Sequence, residues 1–127
     1  MTMTTITEDY VSFEIAKLLK EKGFDNISSV MYKENGEMCI NPKSVVSWRL
    51  KYWYPCLTLQ MAMKWLREVH NLFIAFELDF SDGAYPMFDA VVYNLATCEK
   101  YPIINYDRYS YIKGTDAVMK YCLEHLI

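Results

Sequence analysis

Hydrophobic positions along this chain follow two periods, and the switches between them mark its elements. Val11, Ile15, Leu18 and Leu19 recur at helical spacing, with Glu8, Asp9 and Glu14 early and Lys17, Lys20 and Lys22 late, the order a helix dipole favours. The spacing predicts a first helix over about 8–22, capped by Thr7 and closed by Gly23, which takes a positive φ without a Cβ penalty. Residues 27–33 and 37–40 flank Glu34-Asn35-Gly36, an Asn-Gly signal for a type I′ hairpin. Alternation is partial over residues 43–57 (Val45, Val46, Trp48, Leu50, Tyr52, Tyr54), and Pro55 limits any strand there to a sheet edge.

Thr58 caps a second helix whose apolar stripe is Leu59, Ala62, Met63, Leu66 and Val69, ending near Asn71. From Leu72 the period becomes two: Leu72, Ile74, Phe76, Leu78 and Phe80 alternate with Phe73, Ala75, Glu77 and Asp79. A two-residue Asp82-Gly83 turn would set Phe76 opposite Asp89, on the apolar face beside Met87 and Val91; a bulge or frayed edge is the reading that avoids burying a carboxylate. Residues 101–111 hold one more short strand, and Ser110 caps a last helix carrying Tyr111, Gly114, Val118, Tyr121, Cys122 and His125 near one stripe. The pattern predicts a single α+β domain over residues 1–127. Its mainly antiparallel sheet is built from two hairpins, with about three helices packed on one face as a second layer.

Composition agrees with one folded domain: 127 residues, 53% hydrophobic and 16% aromatic, can build a core without staples. Cys39, Cys56, Cys98 and Cys122 contain no CxxC pair, so they read as free thiols, and His70 and His125 have no partner at metal spacing; no metal and no cofactor are implied. The start of the sequence lacks a basic, apolar secretory leader, and the longest apolar runs are far too short to span a bilayer, so a cytoplasmic setting with no membrane partner is expected. The net charge of −3 argues against a general nucleic-acid binder. Charge is nonetheless segregated. Residues 38–67 carry Lys43, Arg49, Lys51, Lys64 and Arg67 without an acid, and residues 68–99 carry Glu68, Glu77, Asp79, Asp82, Asp89 and Glu99 without a base.

No phosphate-binding Gly loop, HExxH, GxSxG or EF-hand pattern is present, which leaves the common enzyme chemistries without sequence support. The sharpest local feature is Trp48, Arg49, Lys51, Tyr52, Trp53 and Tyr54, an aromatic and cationic mix of the kind that occupies interface centres. Rings alternating with cations also suit a single-stranded nucleic acid, and the plain alternative makes the two indoles caps of the sheet core. A weaker set for a pocket between helix and sheet is Glu77, Tyr121, Cys122 and His125. Cys122 and His125 share a helix face at i,i+3, and Glu77 is a candidate acid or base on a strand face.

Residues 5–25 (TITEDYVSFEIAKLLKEKGFD), 57–70 (LTLQMAMKWLREVH) and 117–127 (AVMKYCLEHLI) together resemble the helices of a family of small uncharacterised proteins of gut-bacterial genomes, prophages and mobile elements. That family carries no assigned activity or catalytic motif, so the resemblance implies an origin and a compartment and no mechanism. Gly114 stands where the resemblance implies a helix-favouring small residue such as Ala. The leading expectation is a phage-related, non-enzymatic accessory protein that binds another protein, or itself, through residues 43–57. A small enzyme or ligand-binding domain is the first alternative, and a single-stranded nucleic-acid binder the second.

Overall fold

The computed structural model describes residues 6–24, 30–40, 53–102 and 107–127. Its element order is α1 (Phe13–Glu21), β1 (Val30–Tyr32), β2 (Met38–Ile40), β3 (Tyr54–Pro55), α2 (Leu59–His70), β4 (Leu72–Asp79), β5 (Met87–Asn94), β6 (Lys100–Pro102) and α3 (Tyr111–His125). The α+β class and the antiparallel pairing predicted from the sequence are both present. The two hairpins, however, belong to separate three-stranded sheets, β2-β1-β3 and β4-β5-β6. In the first sheet β1 is the central strand, flanked by β2 and β3; in the second β5 is central, flanked by β4 and β6.

The first helix starts five residues later than its charge pattern suggests, with Ser12 and not Thr7 as N-cap. Residues 9–11 instead run extended beside residues 57–59, with the Val11 N–H donating to the Leu57 carbonyl (2.9 Å) and the Leu59 N–H to the Asp9 carbonyl (2.8 Å). This arrangement buries Val11 completely, a gain that another turn of exposed helix does not offer. At the other end, the Phe24 N–H reaches the Leu19 carbonyl and the Gly23 N–H the Lys20 carbonyl, with Gly23 at φ 107°, a complete Schellman closure.

The first hairpin is a type I turn followed by a bulge, not type I′. The Lys33 N–H donates to the Glu37 carbonyl (2.8 Å) across a three-residue loop, and only Gly36 (φ 87°) takes a positive φ. The predicted edge strand is β3, paired to β1 with Pro55 opposite Met31. Thr58 caps α2 as predicted, and Asn71 ends it in the left-handed region (φ 59°).

In the second hairpin, Phe76 faces Ala90 and Glu77 faces Asp89. The connection occupies residues 80–86, longer than a two-residue turn, and this shifts the ladder by one step. A one-residue shift moves every side chain to the other face, so Asp89 lies beside Glu77 and Asp79 rather than in the core, and neither a bulge nor a buried carboxylate arises.

α2 lies against β4, α3 against β5, and α1 against both β3 and α3. The core they enclose centres on Ile15, Leu19, Leu66, Leu72, Val92, Val118, Met119 and Leu123. Val69, placed on the apolar stripe by periodicity, is 56% exposed.

Candidate functional site

The outer edge of β4 carries no partner strand among the described residues. The Leu95 N–H donates to the Asn71 carbonyl (2.7 Å), which fixes the phase of the β4–β5 ladder. In an antiparallel pair the bonded positions alternate, so Phe73, Ala75, Glu77 and Asp79 spend their backbone groups on β5. Leu72, Ile74, Phe76 and Leu78 then aim their N–H and C=O groups away from it. Among the described residues no strand pairs with that side. The opposite side of β5 is occupied by β6 and, further along, by the Arg108 carbonyl, which accepts from the Phe88 N–H (2.7 Å).

Edge strands are ordinarily guarded by charged side chains, lysine above all, by proline or by a bulge; β4 has no lysine, proline or bulge, and its two charges, Glu77 and Asp79, stand toward its end. Its surroundings are apolar. Phe73 is exposed on the outer face, and Leu78 and Phe80 stand out past the helical cover at 54% and 67% exposure. The Gln60 amide of α2 donates to the Tyr111 hydroxyl of α3 (3.5 Å), so this flank of α2 faces α3. Val69 lies nine residues on, half a turn away at 100° per residue, and therefore on the flank toward the β4 edge.

Past the end of the strand, Arg108 binds the two carboxylates that the register brings together. Its Nη2 lies 2.6 Å from Asp89 Oδ1 and 3.2 Å from Asp79 Oδ2, and its Nε donates to Asp89 Oδ1 at 2.7 Å. Hydrogen bonds from Ser81, and then Arg108, hold the Asp79 carboxyl below its usual range. The cluster is half-exposed and fixes the chain after β6 against the outer face of the sheet; Glu77 remains exposed beside it.

A cavity of about 460 Å³ opens between the start of α1, the first hairpin and α3. Val11, Tyr32, Met38 and Ile112 form its apolar wall, and Asp116, Lys113 and Lys120 its polar side. Asp116 accepts from both the Ser12 N–H (3.1 Å) and the Ser12 hydroxyl (2.9 Å), tying α3 to the N-terminus of α1. Lys120 is held by Glu14 at 2.9 Å. The Tyr32 hydroxyl donates to the Val11 carbonyl at 2.6 Å, and burial raises its pKa, so it stays protonated.

The residues singled out from the sequence do not form one site among the described residues. Trp48, Arg49, Lys51 and Tyr52 lie outside them. Trp53 is half-buried, and its carbonyl accepts from Lys20 Nζ at 2.8 Å. Tyr54 packs its ring on Phe13, with centroids 5.5 Å apart, as part of the α1–β3 contact. Cys122 is fully buried, and desolvation pushes its thiol up to about 12, far from a thiolate. His125 is exposed against the Tyr121 ring (5.1 Å), while Glu77 sits on the face of the second sheet turned away from the core. None of these four lines the cavity. His70 stands in the last turn of α2, where a cation would favour the helix dipole, but its ring packs on Trp65 with centroids 4.7 Å apart. Burial lowers its pKa, so desolvation outweighs the helix dipole and the ring is neutral.

No three or more His, Cys, Asp or Glu side chains among the described residues gather at metal-binding distances. No helix among them is long and apolar enough to cross a membrane. Sequence reasoning missed the open edge, Arg108 and the Ser12–Asp116 clamp. The available signals were the unguarded alternation after Asn71 and a single arginine, Arg108, downstream of an acidic segment containing Asp79 and Asp89. Compared with known proteins, the chain shows no significant match to a protein family, a curated protein or a solved structure.

Proposed function

We propose that this chain is a non-enzymatic accessory module that binds protein by accepting a further strand at β4. Its setting on this reading is cytoplasmic, and its origin phage or mobile element, as the resemblance of its helical segments implies. The observation that supports the reading best is the run of outward backbone groups at Ile74, Phe76 and Leu78, beside exposed apolar side chains and with no lysine, proline or bulge on the strand. Strand addition draws affinity from main-chain hydrogen bonds and specificity from alternate side chains, and β4 offers both. Residues 43–57 remain a second candidate surface, since most of that segment lies outside the described residues.

Ala75→Lys tests the proposal. Its side chain lies on the outer face at mid-strand, where a lysine guards an edge without entering the core. Binding of extended peptides selected from a random linear library, and any self-association, is expected to fall at least tenfold, with thermal unfolding within a few degrees of the parent. Undiminished binding by the variant overturns the assignment to β4.

A second reading, a small-ligand domain, has the cavity in its favour, since its volume falls in the range of about 300–1,000 Å³ usual for small-molecule sites. The apolar wall with Lys113 at its rim suits an amphipathic anion. Saturable, Lys113-dependent binding of a medium-chain fatty acid, read by titration calorimetry, would support that reading, and its absence would remove it.

A further inference from the structure

We infer that the strand accepted by β4 is an extended basic segment of another protein, one that sets a lysine or arginine between two apolar residues. The inference rests on the strand-addition reading and names the chemistry of its partner. Leu72 is covered by its own chain, at 2% exposure, so the part of the edge open to a partner runs from Ile74 to Leu78. Side chains alternate between the two faces over this stretch. Ile74 and Phe76 pack against the core, and Leu78 follows on the same side, where the core no longer covers it. Ala75 and Glu77 lie between them on the outer face. Backbone bonds to a partner therefore come from Ile74, Phe76 and Leu78, and Ala75 and Glu77 are the side chains that meet the partner on the outer face.

Glu77 makes that face selective. Its neighbour on β5 is Asp89, a like-charged pair directly across the ladder, which is unfavourable. Asp79 adds a third carboxylate two residues further along the same face. Arg108 answers Asp79 and Asp89, and among the described residues no ion pair reaches Glu77. One guanidinium against three carboxylates leaves this face anionic, and the exposed Glu77 has Asp89 on one side and the open edge on the other. A cation brought in on the open side stands beside Glu77 at about 5 Å between Cβ atoms and offsets the repulsion from Asp89. A carboxylate in that place would add to it. Ala75 is small, which leaves room for the aliphatic stem of a lysine or arginine to lie along the sheet toward Glu77. The partner residues on either side of the cation turn to the other face, where the exposed Leu78 and Val69 offer apolar contact. Successive residues of a strand face opposite sides whichever way it runs, so the order apolar, cationic, apolar holds for parallel and antiparallel addition alike.

Two hexapeptides blocked at both ends, Thr-Val-Lys-Val-Thr-Val and its counterpart with Glu in place of Lys, test the inference on the full chain by fluorescence anisotropy. The lysine peptide is expected to bind roughly fivefold or more tightly than the glutamate peptide at low salt, with the difference shrinking as salt is raised. Glu77→Gln should reduce that preference and Glu77→Lys reverse it, both with thermal unfolding within a few degrees of the parent, because the side chain is exposed. N-methylation of the lysine peptide at its three valines removes the donors that face β4 in antiparallel addition, and N-methylation of the residues between them removes those of parallel addition. At least one of the two forms should lose binding.

Equal binding of the two peptides at low salt, or a preference that Glu77→Lys leaves unchanged, overturns the inference; if that binding is lost on N-methylation, the strand-addition reading stands without it. Binding that survives both N-methylated forms overturns the inference together with strand addition, and so does a failure of both peptides to bind.

Discussion

Removing the Asp116 carboxylate separates what holds α1 to α3 from what merely lies near the contact. The carboxylate accepts two hydrogen bonds from one residue, the N–H and the hydroxyl of Ser12, which is also the N-cap whose oxygen receives the Ile15 N–H at 3.3 Å. A hydrogen bond to a charged group contributes about 1.5–3 kcal/mol, less where water can replace it. Both bonds are half-buried at the cavity wall, so Asp116→Ala is expected to cost about 2–3 kcal/mol, including a few tenths from the lost anion at a helix N-terminus. With an unfolding entropy of roughly 2.1 cal/mol/K per residue, this lowers Tm by about 7–11 °C in a 127-residue chain. Asp116→Asn keeps one acceptor and is expected to lose about half as much.

The assay is urea unfolding at pH 7, combined with Ser12→Ala in a double-mutant cycle. Ser12→Ala alone costs about 1 kcal/mol as a lost cap, and the Asp116→Ala effect should shrink by about 1 kcal/mol when the hydroxyl is already gone. Strict additivity of the two, or an Asp116→Ala cost below about 0.5 kcal/mol, would refute the clamp as a determinant of the α1–α3 contact.

Two further outcomes follow from the geometry. His70 has its folded-state pKa lowered by burial from 6.5, so the unfolded chain takes up the proton first. Its contribution is complete above about pH 6.5 and is lost as pH falls below that value. Stability measured from pH 7.5 to 5 should decline less in His70→Phe than in the parent, and parallel profiles would contradict a buried neutral ring. Gly36→Ala places a Cβ 3.4 Å from the Phe13 ring at φ +87° and should cost at least about 1 kcal/mol in chemical denaturation, whereas Gly83→Ala, with no atom near its Cβ, loses only the backbone term.

Local chemistry was readable in the sequence wherever a single residue decides the outcome. Thr58 and Ser110 cap their helices, Gly23 closes α1, and Pro55 marks an edge, because each acts on its own backbone or that of a near neighbour. What the sequence hid depends on distant partners. Residues 9–11 gave up helix for an extended pairing with residues 57–59, a contact visible only once the chain has folded. The position of Asp89 turned on the length of one loop, because period-two patterns cannot distinguish registers that differ by one step when aromatic residues occupy both faces. The candidate pocket failed for a similar reason. Helical spacing puts Cys122 and His125 near one stripe, but α3 buries the first and leaves the second in water, and Glu77 points away from both. The β4 edge left only a partial trace, the alternation after Asn71 without lysine or proline, since an edge is defined by which strand is missing beside it.

Residue-resolved amide exchange along β4, with and without a bound extended peptide, tests the open edge most directly. In the free chain the amides of Phe73, Ala75, Glu77 and Asp79 should be protected by β5, while those of Ile74, Phe76 and Leu78 exchange rapidly. Saturation with an extended library peptide should bring protection to the second set together, with Ala75→Lys abolishing that change. Protection of Ile74, Phe76 and Leu78 that is already complete in the free chain, or that fails to develop with bound peptide, contradicts the account.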